Sequence, residues 1–224
     1  MSLSTAPSTT LAEALIGAER GVLVSFDGPS GVGKTTVSAL VAELLAPAPV
    51  FLTAEPSGSP IGRLARNGTF TFHGLALSLL VAADRYHHSD TVLQPAVSSG
   101  TIVLCDRYMP SALVLDVLDG ADADYIATVY RHLPKPDLAV FLHDDPEQIR
   151  MRAAARGGDS RFHRTDAAAA KNEADMFKRV AGTLGTSGYP VANVCIGGRS
   201  AAEVATEIAE QVKACRGAAS RIGR

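Results

Sequence analysis

Charge of one sign is missing from this chain. Its 224 residues carry 21 Lys and Arg against 23 Asp and Glu, a formal net charge of -2. No overall field therefore draws it onto DNA, RNA or an anionic membrane, and any basic residues that meet a ligand must be gathered locally. Long hydrophobic runs are missing too. Apolar stretches such as Leu77 to Ala83 fall far short of the roughly 20 residues a membrane span needs. No Lys or Arg precedes Arg20, so no secretory signal is expected. Cysteine is scarce: Cys105, Cys195 and Cys215 are odd in number and far apart, which fits neither a disulfide framework nor a zinc site. Cys105 and Cys195 lie in apolar stretches and read as small core residues. A reducing cytoplasm is the expected home.

What is present fits a globular protein of one domain, or at most two small ones: 46% of the residues are apolar and 20% charged. That length buries a core without disulfides or a structural metal. Residues 1–9 are rich in Ser, Thr, Pro and Ala and read as a tail, with a short helix expected at Leu11 to Ala18. Strand-length apolar runs then recur at Val22–Phe26, Val50–Thr53, Thr101–Cys105, Leu138–Leu142 and Val191–Ile196. Helical patterns lie between them. Val37, Leu40, Val41, Leu44 and Leu45 share one helical face, which Pro47 ends. Leu75 to His88 reads as a buried helix, and Pro146–Arg156, Ala167–Leu184 and Ala201–Cys215 complete the set. Strands alternating with helices imply an α/β fold, a parallel sheet covered on both faces.

The sharpest signal is Gly28-Pro-Ser30-Gly31-Val32-Gly33-Lys34-Thr35, followed by Thr36. It matches G-x-x-x-x-G-K-[ST] in full, between an apolar strand and an amphipathic helix. Glycines let the backbone curl so that several N–H groups face one phosphate, and the helix N-terminus points at the same anion. In this motif Lys34 reaches the β and γ phosphates and the Thr35 hydroxyl ligates Mg²⁺. No N-K-x-D guanine-reading sequence accompanies it. A small phosphotransferase is the best-fitting class.

Four segments, the glycine loop among them, match one family in order. Val24 to Thr36 resembles the opening of thymidylate kinases. Thr53-Ala-Glu-Pro-Ser-Gly-Ser-Pro-Ile-Gly-Arg63 resembles that family's T-R-E-P-G-G-T-P-I-G segment, and Ala82-Ala-Asp-Arg85 its A-A-D-R helix end. Val103-Leu-Cys-Asp-Arg-Tyr108, with Ser111 beyond, resembles its D-R-Y/H-x-x-S strand end. Pro136-Asp137 and Asp145-Pro146 also fit, and the similarity runs over roughly residues 21–212. The resemblance implies a three-layer P-loop NTPase fold with a five-stranded parallel sheet, helices on both faces and a lid segment. It implies a kinase domain over 21–216, a lid at about 152–166 and a C-terminal tail over 217–224.

The implied reaction is Mg²⁺-dependent phosphoryl transfer from ATP to a nucleoside monophosphate, foremost dTMP to dTDP. Small-molecule nucleotides are then the partners, with no nucleic acid or membrane and with a homodimer by family analogy. The resemblance makes Lys34, Asp106, Arg107 and Arg161 catalytic. It puts Gly28, Ser30, Gly31, Val32, Gly33, Lys34, Thr35, Thr36 and Arg156 on ATP, and Thr35 and Asp106 on the metal. It sets Asp27, Glu55, Pro56, Arg66, Val81, Arg85, Arg107, Tyr108 and Ser111 against the acceptor. Arg85 and Arg66 also read as plain helix charges. Arg152, Arg156, Arg161 and Arg164 gather around Gly157-Gly158, as a lid would closing over the moving phosphoryl group.

The departures from the family gather at the acceptor. Ser30 stands where Asp or Glu is common, Ala54 replaces the Arg of T-R-E-P, and Val81 stands where many members have a stacking Phe. Ala112 and Leu115 replace residues that are typically polar and aromatic. Weakened base discrimination follows. Two other readings stay open: a related kinase for a modified nucleotide or another small phosphate ester, and a nucleotide-binding protein without catalysis. Phe70, Phe72, Tyr86 and Tyr108 are candidates for replacement stacking, though each type is more often core packing. His87 and His88 read as a helix-end polar patch.

Overall fold

The computed structural model describes residues 20–156 and 166–222. Five strands form one sheet: β1 (Leu23–Asp27), β2 (Val50–Ala54), β3 (Ile102–Asp106), β4 (Leu138–His143) and β5 (Val191–Cys195). Their order is β2-β3-β1-β4-β5, and every pairing is parallel. Nine α-helices connect and cover them among the described residues: α1 (Lys34–Leu44), α2 (Pro60–Asn67), α3 (Gly74–His88), α4 (Gln94–Ser98), α5 (Met109–Leu118), α6 (Ala123–Val129), α7 (Pro146–Arg156), α8 (Ala167–Thr186) and α9 (Ala201–Ile222).

Alternation along the central strands divides the core, because successive strand side chains point to opposite faces. Val24 and Phe26 of β1 pack with Val37 and Val41 of α1 and with Val204, Ile208 and Val212 of α9. Leu23 points the other way, with Val103 and Cys105 of β3, onto Leu93, Tyr108, Ile126 and Tyr130. Ala139 and Phe141 of β4 meet Val114 of α5 and Phe177 of α8 on a third cluster. The result is the expected three-layer P-loop architecture, with helices on both faces of a buried parallel sheet.

Several local expectations differ. Cys105 is buried, but Cys195 is exposed, because β5 is an edge strand and its last residue faces outward. Helix α3 is not buried all round: Leu75 and Leu79 stand 48% and 44% exposed. Helix α9 continues to Ile222, through residues read as a tail from 217. Helices α2, α5 and α6 are additions to the sequence reading; α2 is amphipathic, but only eight residues long. Ser59 caps α2 by accepting from Gly62 N at 2.9 Å, and Pro60 opens it. The helix expected at Leu11 to Ala18 lies outside the described residues.

The parallel order brings the carboxyl ends of β1, β2 and β3 side by side, with Ala54 and Phe26 both registered on Asp106. Ligands of open α/β sheets bind at such ends, where the chain turns away to opposite faces. Behind this edge, Asp27 is fully buried and accepts from Tyr108 N (3.1 Å), Ser111 N (3.0 Å), Ser111 Oγ (2.6 Å) and Ser25 Oγ (2.8 Å). It thereby satisfies N–H groups at the start of α5 that no intrahelical carbonyl can reach. Asp27→Ala strands these donors in a dry environment. We expect a loss of roughly 3 kcal/mol, read as a lowered urea midpoint with an unchanged m-value.

Candidate active site

A cavity of about 450 Å³ opens over the strand ends, within the size range of nucleotide-sized pockets. Its polar end is the loop from Gly28 to Gly33. Gly28, Gly31 and Gly33 have φ of 142°, 89° and 108°, in the left-handed region that favours glycine. Gly31 is also packed tightly: a Cβ there would lie 2.8 Å from both Ala153 Cβ and the Ile149 carbonyl oxygen. Val32 belongs to the core. It does not line the cavity, and its N–H donates to the Pro29 carbonyl at 3.3 Å.

Lys34 folds back over this loop, donating from Nζ to the carbonyls of Gly28 and Pro29, both at 3.0 Å. Burial, with the nearby Arg107 guanidinium, lowers its pKa to about 7. Thr35 Oγ1 donates to Asp106 Oδ2 at 2.6 Å. A hydroxyl and a carboxylate so placed at a strand end are hard oxygen donors of the kind Mg²⁺ accepts. Thr36 is exposed and does not line the cavity. Ser30 N donates to Glu173 of α8 at 3.4 Å. No local signal marks Glu173, which meets the loop only through tertiary packing.

Arg107 has φ of 72°, costly for a residue with a Cβ. Its N–H is held by the Phe26 carbonyl at 2.8 Å. The guanidinium reaches the Gly28 carbonyl (3.3 Å) and Ser111 Oγ (3.4 Å), so it lies across the cavity beside the glycine loop. Tyr108 is a correction. It is fully buried, its hydroxyl donates to the Pro134 carbonyl at 2.9 Å, and it does not line the cavity. Asp27 likewise sits behind the cavity and positions Ser111 instead of lining it.

The far wall joins two of the sequence motifs. Arg85 and Glu55 form a buried ion pair through Arg85 Nε, and Arg85 also donates to the Tyr130 hydroxyl at 2.8 Å. Asp84, next to Arg85, accepts from Ser57 N and Ser57 Oγ at 2.6 Å and from Ser59 Oγ at 2.7 Å. Although burial opposes it, these bonds hold the Asp84 carboxyl below its ordinary range.

His88 is a second correction. It is buried, with Nδ1 3.2 Å from Glu55 Oε1 and Nε2 3.0 Å from Thr53 Oγ1. Its spacing from Asp84 and Arg85, i+4 and i+3, was the available signal that all three share a helix face. Cys105 joins Glu55 and His88 within 4.8 Å. The Arg85 cation on Glu55 and a thiol whose pKa burial raises make this a poor metal site.

Val81, Leu77, Ala112 and Leu115 give the cavity apolar lining, to which Pro56, Arg66 and Thr69 also contribute. Arg66 donates to the Pro56 carbonyl and is exposed. Phe70, Phe72 and Tyr86 do not line the cavity, and Phe70 is 58% exposed. Arg152 pairs with Asp144 on the surface. Arg161, Arg164 and the Arg156 side chain lie outside the described residues. The sequence reading missed Asp116, which lines the same end. Burial raises its carboxyl to about 6, against the opposing pull of Arg85 and helped by Asp119.

A glycine loop with its lysine on a parallel-sheet edge, facing a strand-end Asp-Arg pair, defines a P-loop phosphate-binding protein. The family model for thymidylate kinase matches residues 26–183. The chain is 34% identical over 192 residues to a probable thymidylate kinase of Pyrobaculum calidifontis, covering 84% of this chain and 93% of the relative. It is 38% identical over 171 residues to the thymidylate kinase of Clavibacter sepedonicus, covering 71% and 78%. Its structure is similar to that of thymidylate kinase from Candida albicans, with a TM-score of 0.71, 27% identity and coverage of 87% and 92%. The chain belongs to the thymidylate kinase family. Among the described residues, no helix is long and apolar enough to cross a membrane.

Asp116 gives a test of the electrostatics. Its carboxyl takes up a proton more readily in the folded state (about 6) than its ordinary value of 3.8 allows in the unfolded chain. Stability is therefore lost as pH rises from about 4 through 6, by about 3 kcal/mol at most. Arg85, Tyr130 and Asp119 are the charged or titratable groups coupled to it. Asp116→Asn is expected to raise Tm by several degrees at pH 8, with the gain shrinking as pH falls toward 4 in calorimetric scans.

Proposed function

We propose that this protein transfers the γ-phosphoryl group of ATP to the 5′-phosphate of dTMP, giving ADP and dTDP. The carrying observation is a single cavity with the glycine loop, Lys34 and Arg107 at one end and an apolar flank beside buried Arg85 at the other. One end suits phosphates; the other suits a base. Family membership supports both halves of the reading.

In this reading an oxygen of the acceptor phosphate attacks the γ-phosphorus, and the bond from that phosphorus to the β–γ bridging oxygen breaks. The loop amides hold the triphosphate, and Lys34 exchanges its loop carbonyls for phosphate oxygens. Thr35 and Asp106 would hold Mg²⁺, which neutralises phosphate charge when bound. Arg107 bridges the two phosphate groups and steadies the charge that spreads over the transferring group. Arg156 and Arg161 complete that cover from the lid, excluding water. Glu55 keeps Arg85 oriented toward the acceptor, with Pro56, Arg66 and Val81 around it. The cytoplasm is the expected compartment. Self-association as a homodimer is part of the same reading, supported by exposed Leu75 and Leu79 one turn apart on α3.

Wild-type protein given ATP, Mg²⁺ and a panel of nucleoside monophosphates is expected to release ADP fastest with dTMP. Equal or faster release with another acceptor would replace that assignment. Lys34→Ala is expected to lower turnover by about 10²–10³-fold with the fold intact by circular dichroism. Light scattering after gel filtration should give twice the chain mass, and a monomer would remove the dimer from this reading.

A further inference from the structure

Arg107 is the one non-glycine residue with a left-handed backbone among the described residues. The strain falls on the residue whose guanidinium reaches the Gly28 carbonyl and Ser111 Oγ at the phosphate end of the cavity. Three hydrogen bonds pin this turn. The Arg107 N–H donates to the Phe26 carbonyl at 2.8 Å, which continues the β1–β3 ladder and fixes only the entry. The next amide, Tyr108 N–H, donates to Asp27 Oδ1 at 3.1 Å. The third bond comes from a side chain two residues back: Cys105 Sγ donates to the Arg107 carbonyl at 3.1 Å. The peptide unit between Arg107 and Tyr108 is thus gripped at both ends, its N–H by Asp27 and its C=O by Cys105.

The thiol bond depends on the bend. An extended strand advances about 3.3 Å per residue, which would carry the carbonyl of residue 107 away from a side chain at 105. Folding back at Arg107 returns that carbonyl to the thiol. The bond therefore forms in the strained conformation and is lost in the extended one, so it stabilises the left-handed state selectively. Cys105 is fully buried in the apolar layer that also holds Val103 and Leu93, while Asp106 turns to Thr35. Burial keeps the thiol protonated, the form that donates. An apolar layer asks only for volume at this position; the Arg107 carbonyl asks for a donor.

We infer that Cys105 is a positioning residue: its thiol, donating to the Arg107 carbonyl, holds the left-handed turn that aims the Arg107 guanidinium across the cavity. The inference rests on the phosphoryl-transfer reading of this cavity, in which Arg107 bridges the two phosphate groups. It deepens that reading by naming what keeps the arginine in place. Serine is the conservative replacement, because it offers an O–H donor where cysteine offers a weaker S–H.

The test is steady-state turnover of ATP and dTMP by wild type, Cys105→Ser, Cys105→Ala and Cys105→Val, with ATP binding by calorimetry and thermal midpoints measured in parallel. Packing and donation rank the variants in opposite orders. A packing role favours Val, which restores apolar volume, over Ser, which buries a hydroxyl. A donor role favours Ser. Cys105→Val and Cys105→Ala are expected to lower kcat about tenfold, the scale set by the cost of one left-handed residue. ATP affinity should change little, because the loop amides and Lys34 are untouched. Cys105→Ser should keep most of the wild-type kcat even where its midpoint falls. In infrared spectra, the S–H stretch isolated as wild type minus Cys105→Val should lie below that of an alkanethiol in an apolar solvent, since donation weakens the S–H bond. Cys105→Val that turns over like wild type, or faster than Cys105→Ser, overturns the inference and leaves the kinase reading standing, as does an unshifted band. No turnover of any nucleoside monophosphate by wild type overturns both.

Discussion

The buried ion pair between Glu55 and Arg85 is the constraint on which the acceptor half of the molecule depends. Neither charge is tolerable alone in that environment, so each fixes the other. Glu55 follows β2 and Arg85 lies near the end of α3, and the pair joins two segments that the chain separates by thirty residues. Everything around it reinforces the junction. Asp84 collects Ser57 and Ser59, while His88 spans Glu55 and Thr53. Tyr130 braces the guanidinium from α6's end, both by hydrogen bond and with its ring 5.1 Å away. An arginine tied down in this way keeps its orientation before any ligand arrives, which is the structural meaning of preorganisation.

The site is also where the fold accepts unfavourable terms. Lys34 is buried against the carbonyls of its own loop, and Arg107 holds a left-handed backbone. Asp116 keeps a buried carboxylate oxygen without a hydrogen-bond partner among the described residues. The surrounding core is ordinary by contrast, with apolar clusters on both sides of the sheet. Such costs persist where the remaining structure over-determines the geometry, and they concentrate at sites that meet ligands.

How far the site could be read in advance depends on how local each signal is. The glycine loop was legible as a loop between β1 and α1, because glycines and a lysine stand at fixed spacing within one turn, although Val32 and Thr36 do not line the cavity. The five strands were legible for the same reason, each to within a residue or two at its ends. Asp27 and Tyr108 were not: both stand beside motif residues, yet one satisfies amides of α5 and the other packs beneath the cavity. His88 was hidden by its neighbour His87, since adjacent residues on a helix face different ways and only one of them turns inward. Cys195 looked like a core residue because an apolar run does not reveal which strand will lie at the sheet's edge.

By itself the sequence determined the class of chemistry. A P-loop between a strand and a helix, an Asp-Arg pair closing another strand and the order of the motifs between them all follow from spacing along the chain. Only the tertiary structure decided who faces whom. Glu173 reaches the phosphate loop from 143 residues away, and Asp116 is electrostatically coupled to Arg85 from a separate helix. Contacts of that kind arise from the packing of layers on a sheet, and no periodicity within a single segment encodes them.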